Sequence, residues 1–217
     1  MFLGHQGPAL AAKHLAPKTS FGTLWLSTEF TDVLWPLFLL LGIEHVRIDP
    51  GNTRMTPMDF YDYPFSHSLL ADAGWALAFG LVYFARRKYK AGAIVVTLGV
   101  LSHWVLDWIS HRPDMPLAPW SSARYGLGLW NSVWGTVVIE FVLFFGGLYF
   151  YLKDTRAKDR TGTWALASFV VLMVLIWVGA VFGPPPPNIM AVKISGVGLW
   201  LVIPWAYWID RHRVSKR

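Results

Sequence analysis

His103, Asp107 and His111 stand four residues apart in the stretch Ser-His-Trp-Val-Leu-Asp-Trp-Ile-Ser-His. On a helix that spacing puts all three on one face, each about 6 Å along the axis from the last. An imidazole and a carboxylate one turn apart can grip a divalent cation. The second imidazole, about 12 Å from the first, can serve a second ion or a substrate. The plainer alternative is polar side chains snorkelling to the headgroups. Against it, ionisable groups held inside a membrane are expensive and tend to mark function. Pro113 follows closely, so the trio lies near the end of its helix.

Further candidates come from other segments. His67 opens an apolar stretch in Pro-Phe-Ser-His-Ser, and Asp32 interrupts another in Phe-Thr-Asp-Val-Leu-Trp. A carboxylate in such surroundings costs several kcal/mol unless it meets a cation or a proton. A protonated Asp32 bonded to a neighbouring helix is the structural alternative. His5 could reach the same depth if its short helix is re-entrant, and is otherwise a mobile terminal residue. Glu140, in Val-Val-Ile-Glu-Phe-Val-Leu, is a second intramembrane carboxylate, read as a ligand, a partner behind a ligand, or a proton relay. Glu44 and His45 directly follow an apolar helix in a loop rich in charge, and Arg47 and Arg112 sit in loops nearby. An arginine fork binds phosphate oxygens in pairs, so Arg47, Arg112 and His45 are candidate substrate contacts. His14 and His212 fall among basic clusters and are read as bystanders. Asn131 is a plausible helix N-cap.

These residues have to be positioned by membrane helices. Of 217 residues, 54% are hydrophobic and only 15% charged, with a mean hydropathy of +0.41, a profile that a water-soluble domain rarely shows. Thirteen Trp and eight Tyr supply interfacial aromatics. With no Cys, any metal must be held by His, Asp, Glu or water. The predicted fold is all-α: a short re-entrant helix near 3–15, then about six spans near 21–43, 67–85, 91–110, 131–152, 162–182 and 190–209. Residues 1–217 read as one integral membrane domain. No cleavable signal peptide is expected, and the run Pro184 to Pro187 stops the fifth span.

The net charge of +6 does not point to nucleic acid, because the basic residues fall in short clusters between apolar runs. Lys13, Lys18, Arg86, Arg87, Lys88, Lys90, Lys153, Arg156, Lys158, Arg160, Arg211, Arg213, Lys216 and Arg217 collect on one side. The positive-inside rule makes that side, with the C-terminal tail, cytoplasmic. The loops at 44–66 and 111–130 then face outward. No Walker loop, dinucleotide fingerprint or Gly-x-Ser-x-Gly elbow is present.

With His5, Asp32, the pair His67–Ser68 and the His-x-x-x-Asp of His103 and Asp107, the chain resembles the small bacterial inner-membrane proteins called membrane-bound metal-dependent hydrolases. That family looks like a membrane-embedded relative of zinc-dependent phospholipase C. The resemblance covers roughly residues 1–150; the last two helices and the basic tail lie outside it. It implies a hydrolase of the inner membrane with one or more divalent metals. Nitrogen and oxygen ligands without thiolate suit zinc, with manganese or iron as alternatives. The expected ligands are His5, Asp32, His67, His103 and Asp107. His111 is a further ligand or a general acid, and Glu140 or Glu44 a candidate base. Depth and nearby arginines favour a lipid or lipid-linked phosphoester at the outer headgroup level. The rivals are a transporter or channel for metal or protons, and a non-catalytic protein with a structural metal.

Overall fold

The computed structural model describes residues 1–217. Ten helices make up the body: α1 (Leu3–Leu15), α2 (Phe21–Thr28), α3 (Phe30–Leu41), α4 (Pro64–His67), α5 (Leu69–Arg87), α6 (Lys90–Ser110), α7 (Val133–Asp154), α8 (Arg160–Phe182), α9 (Ile189–Gly198) and α10 (Val202–Arg211). Strands are short pairs in the connections: β1 (His45–Ile48) with β2 (Met58–Asp62), β3 (Met115–Pro116) with β4 (Arg124–Tyr125), and β5 (Thr155–Ala157) with β6 (Arg213–Ser215). The class is the expected all-α bundle. α5, α6, α7, α8 and the α9–α10 segment are each long and apolar enough to cross a membrane, and the bent pair α2–α3 makes a sixth. Leu77, Leu81, Ile94, Leu98, Val142 and Val171 are exposed on the outside, which is where lipid would meet them.

One expected span is broken, and another changes its helical winding midway. The segment predicted as one helix over 21–43 bends by 58° between α2 and α3, with Glu29 at the joint in a non-helical conformation. The last span passes through a tight turn at Leu199–Leu201 between α9 and α10. Gly198 closes α9 at the second of these joints, and the first falls at the polar stretch Ser27-Thr28-Glu29. The N-cap of α7 is Ser132, whose side chain accepts from Gly135 N–H, and not Asn131, which lies in the preceding turn.

α1 is wrapped by protein rather than lipid. Leu3, Gly4, His5, Gln6, Gly7, Ala9 and Leu10 are buried against α7, α2 and α6. The α1–α7 crossing is close enough that a Cβ on Gly147 would lie 2.2 Å from the Gly7 carbonyl oxygen, and one on Gly7 2.4 Å from that of Leu143. Small residues at a crossing let two membrane helices approach in this way. The main core joins Leu3 and Leu10 to Phe21, Trp25, Phe144, Phe169, Trp177 and Ala206, so α8 and α10 share one packing unit with the first helices. At the basic end, β5 pairs with β6 and clasps the tail to the α7–α8 connection.

Candidate functional site

Asp107, on the last turns of α6, stands at the centre of the ionisable cluster and is buried. His5 Nε2 lies 3.0 Å from its Oδ1, and His103 Nε2 lies 3.2 Å from its Oδ2. His67 Nε2 is 3.7 Å and His111 Nε2 3.9 Å from the same Oδ2. Asp32 Oδ1 closes the group, 3.3 Å from His67 Nε2 and 3.5 Å from His103 Nε2. The Met1 amine reaches Asp107 Oδ1 and the Ser110 hydroxyl. Each element has a distinct task. The break at Glu29 turns Asp32 into the first turn of α3, α4 delivers His67, and α1 carries His5 into the bundle, its ring stacked on His103 at 3.8 Å. α6 ends at Ser110, so His111 is an extended cap residue. The connection to α7 folds back over it, Gly128 N–H donating to the His111 carbonyl at 2.7 Å.

The outer nitrogens of three imidazoles are engaged, which fixes what the inner ones present. His103 Nδ1 lies 2.7 Å from the Thr28 carbonyl oxygen, which can only accept, so Nδ1 carries a proton and, in the neutral ring, the lone pair is on Nε2. The Ser66 hydroxyl donates to Glu44 Oε2 at 2.6 Å and lies 2.6 Å from His67 Nδ1. With its proton given to Glu44, Ser66 Oγ must accept from His67. His111 Nδ1 faces Asp114 Oδ1 at 2.9 Å. Tyr63 donates to the same carboxylate at 2.9 Å. Burial, reinforced by Asp114, pushes the Tyr63 phenol well above its usual range and keeps it a donor. This backing of each ring by a carbonyl or carboxylate is what orients histidines around a metal.

The inner geometry can therefore be tested for fit to a cation. In neutral rings with Nδ1 protonated, Nε2 of His103 and His67 would face carboxylate oxygens across 3.2–3.7 Å as acceptor against acceptor, so a proton or a cation must lie between. His103 Nε2 and His5 Nδ1 are buried without any hydrogen-bond partner. Ligand atoms 2.0–2.2 Å from a tetrahedral centre stand about 3.4 Å apart. Two sets, His5/His103/Asp107 and Asp32/His67/His103, each bring three ligand atoms within 4.8 Å of one another. The donor chemistry and the spacing both fit a divalent cation.

Other candidate residues fall elsewhere. Glu140 accepts from the Phe2 and Gly4 amides at 3.2 and 3.0 Å, holding the start of α1 while lining the same cavity as Asp32 and Asp107. Glu44 accepts from the Phe65 and Ser66 amides at 2.7 and 2.8 Å; it stands behind His67, outside the cavity. The hairpin register sets Arg47 opposite Asp59, and that buried carboxylate takes both Arg47, at 2.5 Å, and Arg112. His45 pairs with Asp62 at 2.7 Å on an exposed face. His14 and His212 pair with Asp154 and Asp159 at the basic end. Three polar residues that sequence reasoning passed over are also buried. Glu29 accepts from Gln6, whose own oxygen accepts from Trp25, and Asp72 has neither oxygen partnered. The spacing of Glu29 and Asp32, one helical turn apart, was a signal available for the first.

Fold and composition define a multi-pass helical membrane protein with its buried ionisable groups gathered near one end. Residues 64–184, more than half of the chain, match the family described as YdjM inner membrane protein, and the chain belongs to that family. The matched region contains His67, His103, Asp107, His111 and Glu140 and leaves out His5 and Asp32. It makes this a bacterial inner-membrane protein. No curated protein and no solved structure matches the chain.

Proposed function

We propose that this protein is a membrane-embedded, metal-dependent hydrolase of phosphoesters. The observation that carries the proposal is the convergence of imidazole lone pairs and carboxylate oxygens at 3.0–3.7 Å around Asp107. His5, Asp32, His67, His103 and Asp107 would hold the cation, zinc before manganese or iron. A bound divalent cation supplies Lewis acidity, lowering the pKa of water and polarising a phosphoryl oxygen.

The chain's own residues do the rest. Asp32 has the most exposed side chain of the five, 24% against 5% or less for the others, so substrate approaches from its side. Water adds to phosphorus and the bond to the leaving oxygen breaks. His111, on the cavity wall with its Nδ1 braced by Asp114, gives that oxygen a proton. Glu140, whose carboxylate lines the same cavity, takes the proton that the attacking water gives up. Glu44, through Ser66, orients His67 and takes no part in proton transfer to substrate. The charge ordering of the loops supports an extracytoplasmic position for this end of the bundle.

Elemental analysis by plasma mass spectrometry of detergent-purified protein tests the proposal. Wild type should carry at least one equivalent of metal, lost in the His103→Ala, Asp107→Ala double variant. No bound metal in wild type, even after reconstitution with zinc, manganese or iron, would sink the hydrolase reading.

A further inference from the structure

One basic side chain beside the site is unspent. Of the arginines in the loops at this end, Arg47 and Arg112 are paired with Asp59 and Arg124 donates to backbone carbonyls. Arg54 has no carboxylate within salt-bridge reach and no hydrogen bond, yet it lines the cavity that contains Asp32, His67, Asp107 and His111. That cavity has a volume of about 670 Å³, within the range of small-molecule sites. Its other walls are largely apolar, with Trp35, Met55, Trp130, Ile176, Trp177 and Val192 among them.

The loop bearing Arg54 is not a loose tether. Thr53 Oγ1 accepts from the Met55 and Thr56 amides at 3.3 and 3.0 Å and donates to the Thr56 carbonyl at 3.0 Å. Asn52 donates to the Met58 carbonyl at 2.7 Å. Met55 is buried in the main core, the cluster that also holds Trp177. Arg54 thus sits between a self-bonded turn and a buried anchor, its guanidinium left free at the rim of a half-apolar cavity with an ionisable floor.

We infer that Arg54 is the anion anchor for an amphiphilic phosphate, whose apolar chain lies along the α8–α9 wall and whose phosphate reaches the His/Asp cluster. This deepens the hydrolase reading and rests on it. A guanidinium fork binds phosphate oxygens in pairs, and the apolar walls accept a chain that inorganic phosphate lacks.

Binding of dodecylphosphonate, which cannot be hydrolysed, to zinc-reconstituted protein in detergent tests the inference by calorimetry. Inorganic phosphate and dodecanol serve as the two half-ligands. Dodecylphosphonate should bind at least about tenfold tighter than either, and Arg54→Gln should weaken it about tenfold. Arg47→Gln should leave it within about twofold, because that side chain is two-thirds exposed and faces Asp59. Arg54→Gln should keep the zinc content and melting temperature of wild type. Unchanged affinity in Arg54→Gln overturns the anchor. Inorganic phosphate binding as tightly overturns the amphiphile, and dodecanol binding as tightly overturns the anion. Stripping zinc separates the two proposals. If affinity survives stripping but still falls in Arg54→Gln, Arg54 remains the anchor and the metal-dependent reading is lost.

Discussion

The Glu44–Ser66–His67 chain allows a substitution whose effect runs through one proton. Glu44 Oε1 accepts from two backbone amides at 2.7 and 2.8 Å, and Oε2 accepts the Ser66 hydroxyl at 2.6 Å. Glu44→Gln has the same shape. Its carbonyl oxygen must stay with the two amides, which leaves its NH2 group facing Ser66 Oγ. The Ser66 hydroxyl then loses its acceptor and can satisfy its proton on His67 Nδ1, 2.6 Å away. That tautomer carries a proton on Nε2, where the lone pair should face Asp32 and the cation. Loss of a backing partner of this kind costs about 10- to 100-fold in metal affinity, or about 1.4–2.8 kcal/mol. Ser66→Ala removes the relay without enforcing the wrong tautomer, so its cost should be smaller. Zinc affinities of the purified proteins, measured by competition with a chromophoric chelator, give the ranking directly. Wild-type affinity in Glu44→Gln, or a larger loss in Ser66→Ala than in Glu44→Gln, would refute the relay.

Other perturbations read different parts of the structure. Gly147→Leu drives a side chain into the Gly7 backbone and should abolish monodisperse protein on gel filtration, along with zinc. Gly146→Leu, where an added Cβ meets nothing within 4 Å, should behave as wild type in both measurements. Ser132→Ala removes the α7 cap at a cost of about 1 kcal/mol, visible as a lowered melting temperature with zinc retained. Asp114→Asn should lower kcat on a phosphoester about tenfold or more through His111 while leaving the zinc content unchanged; parallel loss of zinc would instead make His111 a ligand.

The helical class and most helix limits were legible because long apolar runs leave few alternatives in a membrane. Residues 3–15 form the expected short helix, and the four-residue spacing does put His103 and Asp107 on one face of α6. What stayed hidden is non-local. The bend at Glu29 lies in the polar stretch Ser27-Thr28-Glu29-Phe30-Thr31-Asp32, but the partner that holds it is tertiary: Gln6 of α1 donates to the Glu29 carboxylate at 2.8 Å. Glu44 and Ser66 are 22 residues apart, so no local pattern reveals that one serves the other's neighbour. Proximity in sequence made Arg47 and Arg112 look available to substrate, whereas hairpin register assigns both to Asp59. Arg54, set in a turn of ordinary composition, carries no signal until the loop is seen folded over the cavity.

The same distribution of charge favours the proposed chemistry over transport. A relay across the bilayer needs titratable groups through its full depth. Here α6 has none between Lys90 and His103, α7 only the phenols of Tyr149 and Tyr151 near its basic end between Glu140 and Lys153, and α8 none from Thr161 to Phe182. α5 continues from Asp72 to Arg86 with only Tyr83 near its basic end, a phenol paired with the Thr19 hydroxyl at 2.7 Å. α1 does run from the cluster towards the basic end, but between His5 and Lys13 it offers only Gln6, and that amide is bound on both sides by Trp25 and Glu29. An ion leaving the cluster in that direction would cross the packed core of Leu10, Phe21, Phe144 and Phe169, where desolvation alone costs several kcal/mol. Proteoliposomes loaded with a zinc-sensitive dye should accordingly show no flux above empty vesicles. A zinc flux that vanished in Asp107→Asn would reverse that conclusion and make the cluster a station on a path rather than its end.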